Sequence, residues 1–217
     1  MLAALPPNRH RDLEPVVLHF GEVLCEAGSL QRHVYFPDDC VISLVIETEG
    51  SELEVGLVGN EGMLGIGVAL GQAASPVRAI VQGEGSAMCM TARAFREGLA
   101  RDADFKREVD RCAYLAMTTA MHIAACNNRH LLADRLARWL LMVRDRLGRD
   151  EFAMTQEFMS LMLGVRRAGV TDAAQALQQR NLIGYSRGIV RILDARGLRS
   201  AACPCYATIR ELEGRRS

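Results

Sequence analysis

The 217-residue chain has no uninterrupted apolar run of about 18 residues, so no segment reads as a transmembrane helix. Its opening Met1-Leu2-Ala3-Ala4-Leu5 is broken at once by Pro6 and Pro7 and lacks the apolar stretch of a signal peptide. A cytoplasmic location without membrane association is therefore expected. The chain contains no P-loop, no Gly-x-Ser-x-Gly and no His-Glu-x-x-His, and no enzymatic activity is expected. Lysine is nearly missing: of 26 cationic side chains all but Lys106 are arginine, a bias that genome composition alone produces. The seven cysteines are odd in number and follow no regular frame, so reduced thiols are the default.

What is present is an ordinary globular composition, 49% hydrophobic and 24% charged, which excludes disorder, collagen and a long coiled coil. Net charge is zero, which alone argues against nucleic acid, but the distribution is uneven. Residues 1–130 carry 11 basic and 17 acidic side chains, a balance of −6, whereas 131–217 carry 15 and 9, a balance of +6. This split suggests a sensing or assembly half joined to a half that meets a polyanion.

From Val16 to about Thr91, short apolar runs broken by glycine, proline and aspartate predict a small β-roll or barrel. Val41–Ile46, a turn around Gly50-Ser51, and Glu52–Leu57 read as a hairpin, because Glu52 and Glu54 alternate with Leu53, Val55 and Leu57. Further strands are expected at Val16–Phe20, His33–Phe36, Val77–Gln82 and Ser86–Met90. The stretch from Ala92 to Leu147 has no proline and one interior glycine, Gly98, which predicts long helices.

Within it Val109, Cys112, Ala116, Ala120, Ile123 and Cys126 recur at spacings of three and four, a stripe whose small residues allow a second helix close approach. A homodimer through Val109, Cys112, Ala116, Ala120 and Ile123 is expected; packing on the chain's own β-unit is the alternative. A second helix, Leu131–Leu147, carries Leu132, Leu136, Trp139, Leu140 and Val143 on one side, with Arg135, Arg138, Arg144 and Arg146 at its other positions.

Thr155 reads as the N-cap of a helix that stops at Gly164, with Glu157 complementing its dipole and Met154 placed to staple onto Met159. A second helix begins near Arg166 and buries Val170, Ala173, Ala174 and Leu177, leaving Thr171, Asp172, Gln175 and Gln179 outward. Leu182–Leu193 reads as a hairpin with Arg187 at its tip. Two short helices joined at a glycine, followed by such a hairpin, form a winged helix-turn-helix suited to the major groove of DNA.

The ordered set of β-roll, long helix, Thr155…Leu163-Gly164-Val165-Arg166-Arg167…Val170…Leu177…Leu182-Ile183…Gly188-Ile189 resembles the Crp/Fnr superfamily of bacterial transcription regulators, from about Val16 to Leu198. The resemblance implies an α+β fold in three parts: a cyclic-nucleotide-binding-like sensor over 1–103, a dimerisation helix over 104–130, and a DNA-binding winged helix over 131–217. It implies double-stranded DNA with a palindromic operator, a second copy of the chain, and RNA polymerase as partners. The DNA-binding positions are read as Thr155, Arg166, Arg167, Thr171, Asp172, Gln175 and Arg187, and the resemblance implies that Arg167 is the main base reader. Two positions depart from the common pattern: Ala168 stands for a glutamate and Asp172 for a second arginine, so the operator need not resemble that of the cyclic-AMP receptor.

The resemblance places an effector pocket at Gly62, Met63, Leu64, Gly65 and Arg78. Methionine stands where members that bind cyclic AMP have a ribose-binding glutamate, and Ser75-Pro76 stands where an arginine clamps the phosphate. A buried phosphate without that cation is poorly paired, so cyclic nucleotide is not expected. The four-cysteine iron–sulfur cluster of some relatives is not expected either, since only Cys25 lies near the N-terminus. Cys203-Pro204-Cys205 is too close for Cys-x-x-Cys and reads as packing, with a thiol switch or weak metal site as the alternative. His122, Cys126 and His130 lie on one helical ridge that supplies no closed ligand set, so no metal is expected. Two rival readings are a cupin-like ligand-binding or enzymatic β-domain, which only His19 and His33 in the β-region would serve, and a protein–protein adaptor using the winged helix.

Overall fold

The computed structural model describes residues 12–214. They fall into two compact units, one containing residues 12–46 and 55–118, the other 47–54 and 119–214.

The first unit is built on antiparallel strands. One sheet has the order β1-β7-β3, from β1 (Glu14–Leu18), β3 (His33–Pro37) and β7 (Gly85–Thr91). The other has the order β2-β6-β4-β5, from β2 (Val23–Cys25), β4 (Val41–Thr48), β5 (Ser51–Val58) and β6 (Arg78–Gly83). The expected strands are all found; β2, three residues long, had no period-two signal. The β4–β5 turn is Glu49-Gly50, both at positive φ (53° and 73°), one residue before the position expected. A short helix, α1 (Ile66–Ala69), follows Gly65, whose φ is 109° and where a Cβ would stand 2.6 Å from Val34 Cγ1, so only glycine fits.

The single helical stretch is divided into α2 (Ala92–Arg101), α3 (Ala103–Arg129) and α4 (Leu132–Leu147). Asp102 makes the first break: its backbone is extended, and its Oδ1 accepts hydrogen bonds from the amides of Asp104 and Phe105 at 3.1 and 2.9 Å. The start of α3 then packs into its own unit. Phe105, Val109 and Cys112 join Val34, Phe36, Met63 and Phe95 in one apolar cluster, with Phe95 edge-on to Phe105 at 5.6 Å between ring centres.

The second unit is centred on α4. Leu136, Ala137, Trp139, Leu140, Leu141, Met142 and Val143 are all buried, because the helix is covered on more than one side by α6 (Arg167–Gln179), α7 (Ala195–Ala201) and α8 (Cys205–Gly214). Burial extends to three of its arginines, contrary to the outward placement expected. Arg135 reaches the carbonyl of Leu163 at 2.7 Å, Arg138 reaches Met142 Sδ at 3.1 Å, and Arg146 pairs with Glu213 at 2.7 Å. Their aliphatic stems fill apolar space while the heads find acceptors inside. Trp139 Nε1 donates to the buried carboxylate of Glu54 at 2.8 Å.

Candidate nucleic-acid interface

The helix-turn-helix follows from local chemistry. Thr155 Oγ1 accepts the amide of Phe158 at 3.1 Å and starts α5 (Gln156–Leu163). Gly164, at φ 64°, ends it, and the amide of Val165 returns to the carbonyl of Ser160 at 3.1 Å. Met154 and Met159 are both buried, as a staple across the helix start requires. α6 then runs Arg167–Gln179 with Val170, Ala173, Ala174 and Leu177 buried, and Arg166, Arg167, Thr171, Asp172 and Gln175 exposed. Four apolar anchors on one face fix the rotation of the helix, so the polar residues have no choice of direction.

The wing is β9 (Ile183–Ser186) and β10 (Ile189–Ile192), with β8 (Glu151–Ala153) pairing along the far edge of β10. Its tip is Arg187-Gly188, both at positive φ (50° and 75°), the geometry of a two-residue type I′ turn. The turn requires the left-handed conformation at Arg187, and its position at the tip leaves the residue exposed. The amide of Met154 donates to the carbonyl of Gly188 at 2.6 Å, so the wing tip is fastened to the start of the helix-turn-helix.

Thr155, Gln156, Arg167, Tyr185 and Arg187 line one cleft of ≈ 400 Å³. Gln156 Oε1 lies 3.5 Å from Arg167 Nε and steadies that side chain from the preceding helix. Among the described residues no carboxylate pairs with Arg166, Arg167 or Arg187, whereas Arg144 and Arg191 are engaged by Asp150 and Glu151. Two arginines thus line one opening that suits phosphate and base-edge acceptors, with the Glu157 carboxylate also in its lining. Gln156 and Tyr185 were not singled out from sequence; the signal for Gln156 was its place directly after the cap.

The effector residues do not converge. Met63 and Leu64 sink into two different apolar clusters, since successive residues of an extended segment face opposite ways. The backbone of Leu64 pairs with Tyr35 in both directions at 2.9 and 3.0 Å. Gly62 lies against Val58 and Cys112, and Arg78 Nε lies 3.3 Å from Glu26 Oε2. Of the positions expected to line an effector pocket, Met63 and Leu64 thus take part in core packing, Gly62 lies in a turn, Gly65 stands at the start of α1, and Arg78 is in an ion pair.

The structure divides the stripe expected to form the dimer seam. Val109 and Cys112 are buried in the protomer's own core, the alternative weighed above; Ala116 and Ala120 are exposed and Ile123 half-buried. The large apolar side chains that α3 exposes are Tyr114, Met117 and Met121.

The structure also gathers Cys126, His130, Cys203 and Cys205, two pairs that the sequence presented apart. Cys126 Sγ is 3.4 Å from Cys203 Sγ, and Cys205 Sγ is 3.8 Å from His130 Nδ1. The hydrogen bond between the two sulfurs, with the positive charge of Arg138 nearby, holds the Cys126 thiol below its ordinary range; that same bond holds Cys203 above it. His122 stays outside the group.

A β-roll, a long helix and a winged helix-turn-helix follow one another in this order along the chain. Residues 134–201 match the Crp-like helix-turn-helix domain. The fold is similar to FixK2 from Bradyrhizobium japonicum (13% identity, TM-score 0.74, covering 88% of this chain and 98% of that one). It is also similar to a CRP-family transcriptional regulator from Thermus thermophilus (20%, 0.71, 87% and 96%). A third is the c-di-GMP responsive global regulator CLP from Xanthomonas campestris (13%, 0.66, 84% and 94%). No curated protein sequence matches the chain. The chain thus has the Crp/Fnr regulator fold and carries, at 134–201, a Crp-like helix-turn-helix domain, as the sequence resemblance implied. No helix among the described residues is long and apolar enough to cross a membrane.

Proposed function

We propose that the protein is a homodimeric, sequence-specific transcription regulator that inserts α6 into the major groove of a palindromic operator. The observation that carries this reading is the anchoring of α6 by Val170, Ala173, Ala174 and Leu177, with Arg166, Arg167, Thr171 and Gln175 exposed opposite. Arg167 reads guanine through its paired donors, Asp172 is placed to accept from cytosine, and Arg187 in the wing holds phosphate. Thr155 positions the backbone of the strand at the start of α5. RNA polymerase is the further partner of the DNA-bound dimer.

Dimerisation runs through α3. Tyr114, Met117, Met121, Ala124 and Asn128 are exposed at alternating spacings of three and four, the repeat of a two-stranded helical seam. The β-roll senses a signal other than a cyclic nucleotide: Arg78 is held by Glu26, and Met63 sits in the core where a ribose-binding carboxylate would be needed. The chain acts without catalysis, and the cytoplasm is its place of work.

Selection of sites from a random DNA pool with the purified chain tests the reading. The expected site is an inverted repeat with half-site centres about 10–10.5 bp apart, or a multiple of that spacing. Arg167→Ala relaxes preference at one symmetric pair of positions, a loss of about 1–3 kcal/mol per base pair read. Arg187→Ala weakens all sequences alike and flattens the salt dependence. A non-palindromic site, or a uniform loss of affinity in Arg167→Ala, refutes the assignment of base reading.

A further inference from the structure

Cys126 lies in the last turn of α3 with His130 four residues on, directly after the helix, and Cys203 and Cys205 flank Pro204 where the connection from α7 enters α8. Their three sulfurs and one imidazole nitrogen all lie within 4.8 Å of one another. A tetrahedron of zinc–sulfur bonds of about 2.3 Å has edges of about 3.8 Å, so these four atoms already stand at the spacing of one ion's coordination sphere. Cys126 and Cys203 are buried, and His130 and Cys205 are half-buried. An iron–sulfur cluster distributes its ligands over several irons and needs a wider cage than this.

The backbone holds the donors in place. The amide of His130 bonds to the carbonyl of Cys126 at 3.1 Å and that of Cys203 to Asp134 at 3.3 Å; the amide of Tyr206 returns to the carbonyl of Cys203 at 3.1 Å. Tyr206 Oη is in turn fixed on Asp145 at 2.7 Å. Beside the cluster lies Arg138, only 3% exposed, whose buried Nε has no hydrogen-bond partner. A guanidinium taken out of water needs a compensating anion. Three thiolates around a divalent ion leave one net negative charge, which Arg138 balances.

We propose that Cys126, His130, Cys203 and Cys205 form a closed tetrahedral site for a single Zn(II) ion. Three soft thiolates and one imidazole select zinc over oxygen-seeking magnesium or calcium, and four protein ligands leave no open position for catalysis. Binding forms three Zn–S bonds and one Zn–N bond and releases the thiol protons to solvent, with no change of oxidation state. The ion ties the end of α3 to the α7–α8 connection. This inference is independent of the DNA-binding reading.

The full-length chain, purified under reducing conditions, is expected to contain one zinc per chain by elemental analysis. After chelation, titration with Co(II) is expected to saturate at one ion, with intense visible bands of a tetrahedral site and near-ultraviolet thiolate-to-cobalt charge transfer. Cys205→Ser, at a half-buried position, is expected to lower the charge-transfer intensity by about a third, one thiolate in three. His130→Gln is expected to preserve that intensity and shift the visible bands. Substoichiometric zinc together with no cobalt bands overturns the proposal. So does charge-transfer intensity unchanged in Cys205→Ser, or a Cys126–Cys203 disulfide in the isolated protein that excludes Co(II).

Discussion

The turn of the helix-turn-helix rests on Gly164, and Gly164→Ala puts a defined load on it. The residue sits at φ 64°, where an alanine costs about 1 kcal/mol more than glycine. Its Cβ would also stand 2.5 Å from Leu53 Cδ1. That atom is the end of a flexible side chain, so relief requires a rotamer displacement of about 30°, costing about 0.5–1.5 kcal/mol. The expected total is about 1.5–2.5 kcal/mol, more than tenfold in the folding constant, in a protein whose whole stability is about 5–15 kcal/mol. Urea unfolding of the variant measures it, with the slope checked for constancy. Combining it with Leu53→Ala separates the parts: the overlap disappears and the left-handed strain stays, so the cycle should show a coupling of about 0.5–1.5 kcal/mol. A loss below about 0.5 kcal/mol in Gly164→Ala, or an absence of coupling to Leu53, refutes this account of the turn.

Met117→Arg and Met121→Glu, both on the exposed face of α3, are expected to give monomers in sedimentation, with an unfolding midpoint that no longer depends on protein concentration; unchanged dimers would move the interface elsewhere. Glu54→Leu removes the acceptor of the Trp139 indole and leaves a buried N–H unsatisfied, so a loss of about 1–3 kcal/mol is expected in urea unfolding. Burial pushes the thiols of Cys40 and Cys112 up to about 11, so both stay protonated well above neutral pH. Iodoacetamide at pH 7.5 is expected to leave these two unlabelled in the native chain by peptide mass spectrometry, and to label both after denaturation.

The recognition helix was legible in the sequence because everything that defines it is local. Thr155 as cap, Gly164 as stop, and Val170, Ala173, Ala174 and Leu177 at helical spacing act within a turn or two of chain, and the structure reproduces each. The positions of the β-roll strands other than β2 could be read for the same reason, from alternation and turn residues. The start of α3 lies one residue before the boundary that the resemblance implied, while the role of Asp102 in making the break was not read from the sequence.

Periodicity says that a face must be covered and does not say by what. Val109 and Cys112 lie on the stripe read as a dimer seam, yet Phe36, Phe95 and Met63 of the same unit cover them, and the large apolar side chains that α3 leaves exposed are Tyr114, Met117 and Met121. Arg135, Arg138 and Arg146 occupy positions that a one-sided helix would leave in water; α4 is packed on several sides, and only that packing decides that the arginines go inside. Cys126 and Cys203 are 77 residues apart, so neither fragment shows a ligand set on its own. Capping and helical period are short-range and belong to the sequence, whereas the partner of each face and the donors around one point depend on how distant segments share space, which the tertiary structure alone determines.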